Sequence, residues 1–358
     1  MPDIYGILRA SSRLKSKRLK LFGVWVMHIL GKRYLGLFLD PVLSCNFRCK
    51  MCYFSNDEKR KNYRGIFEYE DISLIAKAFF HRALKLQIGC GAEPTLHKDL
   101  IRIIALGKQY RVPYISLTTN GSLLNRSKLC EAIEAGLDEL TLSVHGFTKE
   151  TYEFLMTNGD FETFKRLLDD ISAVKKQYSS FKLRINYTIN NNNINELTQI
   201  WDVLGTSVDI LQLRPIQNLG ASEYKDFDLT GIYNNYDTLI VPIIRECAER
   251  NITCLVPEKE NLITLKGSFN DDRLEQSTYC YISPRGCWQN DFDYRTETFD
   301  SYFCTSNYHT CPPKSRRRSV RFTFCLKTNT TSTPCISTSS PKARVHWATS
   351  SGKLAIPR

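Results

Sequence analysis

The chain has 358 residues, enough to bury a substantial core, so a small scaffold stapled by disulfides is excluded. Its thirteen cysteines are odd in number and irregular in spacing, and no convincing secretory signal precedes them; together these predict a reducing, cytoplasmic setting where clustered thiols serve metal or redox chemistry. The formal charge of +12 sits at the two ends: residues 1–33 carry eight Lys or Arg against one Asp, and residues 312–358 carry ten against no acid. The mildly acidic body between them argues against a nucleic-acid groove through its middle.

Residues 1–34 read as a basic N-terminal amphipathic helix. A basic run precedes the apolar stretch "LFGVWVMHIL", which imitates a signal peptide, but Gly31, Lys32 and Arg33 stand where a small-residue cleavage site belongs. The stretch is also too short to span a bilayer. The expectation is a helix packed on the body, and the alternative is a peripheral helix in contact with a membrane surface.

Between residues 35 and 220 short β-branched runs alternate with helical patterns. Six strands are predicted: "LGLFL" from Leu35, "KLQIGC" from Lys85, "YISLTTN" from Tyr114, "ELTLSVH" from Glu139, "KLRINYTI" from Lys182 and "DILQLRP" from Asp209. Helical spacing appears between them, as at Ile72, Ile75 and Phe79 or at Phe164, Leu167 and Ile171, with Asp160 a helix cap and Gly136 and Gly205 helix stops. Six such units in a row predict an α/β fold, a partial (β/α)6 TIM-like barrel; a doubly wound open sheet is the alternative.

Residues 221–311 read as a helical and cysteine-rich extension, with a helical pattern from Tyr236 to Arg250, a strand in "NITCLVP", and then Cys280, Cys287, Cys304 and Cys311. Residues 312–358 shift abruptly to Ser, Thr, Lys, Arg and Pro without periodicity, which predicts a disordered basic tail; one hypothesis is that it is out-of-frame or recently replaced sequence.

The densest chemistry lies in "CNFRCKMCYF". Three thiols spaced C-x3-C-x2-C just after a strand can converge on one inorganic centre. A structural zinc site takes four protein ligands and would need a distant fourth. An iron-sulfur cubane can take cysteine at three irons and keep the fourth open. A chance cluster of buried thiols is the bland reading. Arg48 and Lys50 are expected to favour the thiolate form that a ligand requires.

"CNFRCKMC" resembles the cluster-binding loop of the radical S-adenosylmethionine enzymes. Further along, "GCGAEPTL", "TTNGSLL" and "SVHGFTKETYE" resemble that family's later motifs, each at the carboxyl end of a predicted strand, and the likeness covers about residues 35–220. The resemblance implies a 4Fe-4S cluster on Cys45, Cys49 and Cys52, with S-adenosyl-L-methionine at the open iron. It implies ammonium binding by Glu93 and the backbone around Ala92, ribose binding by Ser143, with His145 a weaker candidate, and adenine against the backbone at Met51 and Leu213–Ile216. There are departures from the pattern. Ala92 replaces a glycine, Met51 stands where many relatives have an aromatic residue, and the Arg expected after the fourth strand for the cofactor carboxylate is absent, leaving Lys149 or Asn186.

The implied reaction is reductive cleavage of S-adenosylmethionine to methionine and a 5'-deoxyadenosyl radical, which takes hydrogen from a peptide or small-molecule substrate. An electron donor such as flavodoxin or ferredoxin is implied too. Cys280, Cys287, Cys304 and Cys311 loosely resemble an auxiliary-cluster (SPASM or twitch-like) extension, so a second iron-sulfur cluster competes with a zinc site or loose thiols. Cys90, beside Glu93, reads as a small buried residue. Two other classes stand beside this one: a radical enzyme modifying RNA through the basic ends, and a non-catalytic iron-sulfur or zinc-binding interaction protein.

Overall fold

In the computed structural model residues 6, 14, 16–218, 222–263, 273–289 and 291–305 are described. The aliphatic runs form parallel strands β1 Leu35–Leu39, β2 Ala83–Ile88, β3 Tyr114–Thr119, β4 Glu139–Val144, β5 Lys182–Ile189, β6 Ile210–Pro215, β7 Thr253–Leu255 and β8 Tyr279–Ile282. Their order in the one sheet is β7-β6-β5-β4-β3-β2-β1-β8, and every neighbouring pair is parallel. This is the partial TIM-barrel type of α/β fold.

The six strands expected from residues 35–220 are all present, and the sheet gains two more from residues assigned to the extension. β7 corresponds to "NITCLVP". β8 carries no pattern of its own, being four residues long, and it becomes a strand because β1 offers a free edge; Leu37 pairs with Cys280 and Leu39 with Ile282.

Alternation along each strand separates two faces. Leu35, Leu37 and Leu39 of β1 are fully buried on one face while Gly36 and Phe38 are half-buried on the other. The helices cover the aliphatic face: α1 Lys17–Ile29, α2 Tyr69–Ile75, α3 Leu100–Gln109, α4 Arg126–Glu134, α5 Phe161–Gln177, α6 Ile200–Leu204, α7 Val241–Glu249 and α8 Phe299–Thr305. A methyl group built on Gly107 of α3 would strike Ile115 and Leu86, which shows how closely helix and sheet meet there. The opposite, inner face carries Lys85, Gln87, Glu139, Ser143, Arg184, Asn186, Gln212 and Arg214, alternating with the buried aliphatics of the same strands.

The predicted helix ends hold. Asp160 accepts the N–H of Thr163 at 2.9 Å, and Gly136 and Gly205 leave their helices at φ +113° and +60°, where an L side chain is strained. The pattern from Tyr236 to Arg250 is broken at Ile240 because Pro242, at the start of α7, offers no N–H to the preceding turn.

The expectation that the N-terminal helix packs on the body is met on one side only. His28 is buried, hydrogen-bonded through Nδ1 to Tyr34 Oη at 2.8 Å and set 4.1 Å from the Phe303 ring of α8. The outward side of α1 is apolar: Leu19, Phe22, Trp25, Ile29 and Leu30 are all exposed. α8 is clamped by Asp300, which accepts from Arg82 Nε at 2.7 Å and Nη2 at 2.9 Å. Cys311, the basic tail and the Cys304 side chain lie outside the described residues.

Candidate active site

The loop after β1 is fastened by its backbone, which frees its cysteine side chains. Arg48 N–H donates to Thr157 O at 2.8 Å, Lys50 N–H to Leu155 O at 2.9 Å and Cys52 N–H to Cys49 O at 2.9 Å, while Lys50 O accepts from Tyr224 N–H at 3.0 Å. Phe47, Met51 and Phe54 are buried anchors. Between them Cys45, Cys49 and Cys52 stay half-buried and free.

The thiols are close enough that ionising one opposes ionising another. Burial pushes Cys45 up to about 12 and Cys52 up to about 11, and burial followed by the charges of Cys52 and Cys45 pushes Cys49 well above its ordinary value. Arg48 acts in the expected direction, favouring the thiolates of Cys45 and Cys52, but burial outweighs it and it is not enough to hold them. The Arg48 Nη1 donates to Cys45 O at 2.6 Å and Phe47 O at 2.7 Å. The Lys50 ammonium sits 4.7 Å from the centre of the Phe154 ring. Deprotonation is therefore left to a metal centre that brings its own positive charge. Among the described residues no three His, Cys, Asp or Glu side chains converge as ligands of one metal ion. A cubane makes a different demand, since each thiolate takes its own iron, and three half-buried thiols on one fastened loop fit that donor set.

The loop after β2 lies against the cysteine loop, with Glu93 N–H donating to Ser44 O at 2.9 Å. Gly89 turns it at φ +82°, where a Cβ would lie 2.3 Å from Thr118 O. Asp40, at the end of β1, holds the loop from beneath: it accepts from Cys90 N–H at 2.6 Å, Gly91 N–H at 3.0 Å and Tyr281 Oη–H of β8 at 2.6 Å. Tyr53 Oη–H donates to Gly91 O.

Glu93, expected to face an ammonium group, is already used as a pin between loops. Oε1 accepts from Thr95 N–H at 3.1 Å and from the Thr95 and Thr119 hydroxyls at 2.6 Å each; Oε2 accepts from Asn120 N–H at 2.8 Å. Burial, only partly opposed by these bonds, raises its carboxyl above the ordinary value. The Thr-Asn-Gly turn after β3 completes the rim. Asn120 Nδ2 donates to Asn46 Oδ1 at 2.9 Å, and Asn46 Nδ2 to Ser122 Oγ at 2.8 Å.

Ser143 and Asn186 sit directly across from each other in the β4–β5 ladder, both on the inner face. The Asn186 Oδ1 atom is buried and has no hydrogen-bond partner among the described residues, so an acceptor stands ready for a donor in the lumen. His145 is kept neutral, its pKa lowered to about 4 by burial and by the Arg214 charge. Its Nδ1 accepts from Thr188 N–H at 3.4 Å, a structural bond. Met51 is buried and its sulfur accepts from Asn190 Nδ2 at 3.3 Å. Ala92 is half-buried beside Glu93, and Lys149 is exposed at the first turn of the helix Lys149–Leu155. Of the two carboxylate candidates, Asn186 is on the inner face.

Sequence reasoning missed Asp40 and the inner-face cations. Glu139 Oε1 lies 3.7 Å from Lys85 Nζ and 3.5 Å from Arg184 Nε, and Arg214, its pKa lowered by burial and by Arg184, stands beyond. The readable signal was a polar or charged residue at every second position in "KLRINYTI" and "LQLRP", since a filled barrel would place aliphatic residues there. Cys280 and Cys287 are near enough to interact, but Cys280 is fully buried in the core, flanked in β8 by Tyr279 and Tyr281 of the opposite face.

Fold and site together define a class: a partial parallel barrel whose strand ends present a three-cysteine loop beside an acidic pin. The chain matches the sequence model of the Radical SAM superfamily over residues 41–194. It is similar to a probable GTP 3',8-cyclase of Saccharolobus islandicus, 29% identical over 188 residues covering 51% of this chain and 58% of the relative. The same-named protein of Saccharolobus solfataricus is 30% identical over 193 residues, covering 52% and 58%. The chain thus spans little more than half the length of these curated relatives. Among solved structures, Streptococcus suis SuiB bound to precursor peptide SuiA superposes with a TM-score of 0.57 at 16% identity, covering 76% of this chain and 64% of that one, a likeness of fold.

Proposed function

We propose that the chain holds a 4Fe-4S cluster on Cys45, Cys49 and Cys52, binds S-adenosyl-L-methionine beside it, and abstracts hydrogen from a small polar metabolite. The observation that carries this reading is the meeting of the three-cysteine loop with the Glu93 loop through Glu93 N–H and Ser44 O. When bound, the cluster and its sulfonium ligand supply reductive carbon-sulfur cleavage and hydrogen abstraction; the chain supplies position. Ser143 and Asn186 offer polar contacts to the nucleoside, the backbone at Ala92 and the one less crowded oxygen of Glu93 to the ammonium, and Met51 an apolar surface to the base.

A small metabolite is favoured over a peptide for two reasons. The lumen is lined by Lys85, Glu139, Arg184 and Arg214, which suits a polar or anionic molecule, and the sequence relatives are named for a reaction of GTP. An external donor such as flavodoxin or ferredoxin would deliver the electron.

The test is anaerobic reconstitution with iron and sulfide, reduction, and assay for 5'-deoxyadenosine. Cys45→Ala, Cys49→Ala or Cys52→Ala should each lose the brown chromophore and turnover. A triple variant that still cleaved S-adenosylmethionine would end the proposal, and a bound cluster whose spectrum ignores added S-adenosylmethionine would favour the non-catalytic reading.

A further inference from the structure

Seven of the eleven large hydrophobic side chains exposed among the described residues lie between Leu14 and Leu30. This concentration inverts the usual arrangement of a surface helix, which turns its apolar stripe to the core. In α1 the buried residue is His28, with half-buried Leu21 and Val24 beside it on the core side. At about 100° per residue, Leu19, Phe22, Val26, Ile29 and Leu30 form a stripe on the side opposite His28, and Arg18 and Lys20 fall on its two edges. Phe22 and Trp25 stack within the patch at 5.8 Å between ring centres.

The charges point the same way. Lys17, Arg18 and Lys20 occupy the first turn, with no acid among them, at the helix end where the macrodipole is positive and cations destabilise. Arg18 and Lys20 flank the apolar stripe rather than the side that carries His28. Lys32, exposed just past the helix, extends the set. The complementary surface is apolar within and anionic at its boundary.

We propose that α1 lies in the plane of an anionic lipid surface, with Phe22, Val26 and Ile29 in the acyl boundary, Trp25 at headgroup level, and Arg18 and Lys20 against lipid phosphates. Its thirteen residues reach about 20 Å, short of the roughly 30 Å of a hydrocarbon core. No helix among the described residues is long and apolar enough to cross a membrane. A second copy paired with its helix parallel would bring the like-charged first turns together, and an antiparallel copy is the competing occupant that the test below separates. This inference is independent of the chemistry proposed above.

The test uses the purified full chain and vesicles of phosphatidylcholine alone or mixed with phosphatidylserine, read by co-sedimentation. Binding should require the anionic lipid and weaken with added salt. The exposed-site variant Phe22→Glu/Ile29→Glu should keep its melting temperature and lose about tenfold or more in partitioning. Arg18→Gln/Lys20→Gln should reduce the preference for anionic vesicles while retaining weak binding. Equal sedimentation of the parent and the Phe22→Glu/Ile29→Glu variant would overturn the proposal. So would a lipid-free dimer that this variant dissociates, which would assign the face to a second copy.

Discussion

Asp40 shows how much one side chain decides. It lies five residues before Cys45, and its carboxylate gathers the N–H groups that shape the Gly91-Ala92-Glu93 turn. Burial pushes its carboxyl up to about 6, with the bonds from Tyr281, Cys90 and Gly91 pulling the other way. A folded-state value above the unfolded one, near 4, means the folded state holds the extra proton between them. Its contribution to stability therefore falls as pH rises from about 4 to about 6 and is level above, with a slope of at most about 1.4 kcal/mol per pH unit. Asp40→Asn should cost about 2 kcal/mol at neutral pH by leaving backbone donors unmatched, and should weaken S-adenosylmethionine binding while the cluster still assembles. Its penalty should shrink from pH 4.5 to pH 7 in urea titrations; a constant penalty would remove the assigned ionisation. Glu93→Ala, for its part, should lower stability as well as cofactor affinity, since it leaves Thr95, Thr119 and Asn120 donors without their acceptor.

Among the elements, the α8 clamp makes the clearest prediction. Burial alone would raise Asp300, but bonds and charge from His81 and Arg82 outweigh it and hold its carboxyl well below the usual range. A depressed value gives stability that is present above about pH 4 and lost as the pH falls further. The carboxylate is about one-third exposed, so screening keeps the term modest, and Asp300→Asn should cost about 1–2 kcal/mol at pH 7. Thermal melts of parent and variant should converge under acid; a gap that widened there would contradict the sign. Because Phe303 of α8 carries the His28 ring, the same variant should raise hydrogen exchange in α1.

For the whole molecule, the sheet order sets a gradient of protection. β3, β4 and β5 lie between neighbours on both sides and bury Ile115, Leu117, Leu140, Leu142, Leu183 and Ile185 completely, whereas β7 and β8 are the two edges. Native-state hydrogen exchange should be slowest in β3–β5 and fastest in β7, whose three residues are all half-buried. Exchange in β7 as slow as in β4 would mean that the open edge is covered by something else.

The six central strands, the helix stops at Gly136 and Gly205 and the three-cysteine loop were legible in the sequence, because each is specified by neighbours within a few residues: alternation, a cap, a spacing. Tertiary structure decided the rest. β8 exists because β1 has an edge, Glu93 is a pin because Thr119 and Asn120 arrive from another strand, Arg184 and Arg214 share a lumen because β5 pairs with β6, and α1 shows its apolar side outward because His28 is the residue that α8 accepts. Local patterning reports what a segment can form. Which side it buries, and what its polar atoms meet, depends on partners far away in the chain, and those contacts come into being only when the sheet assembles.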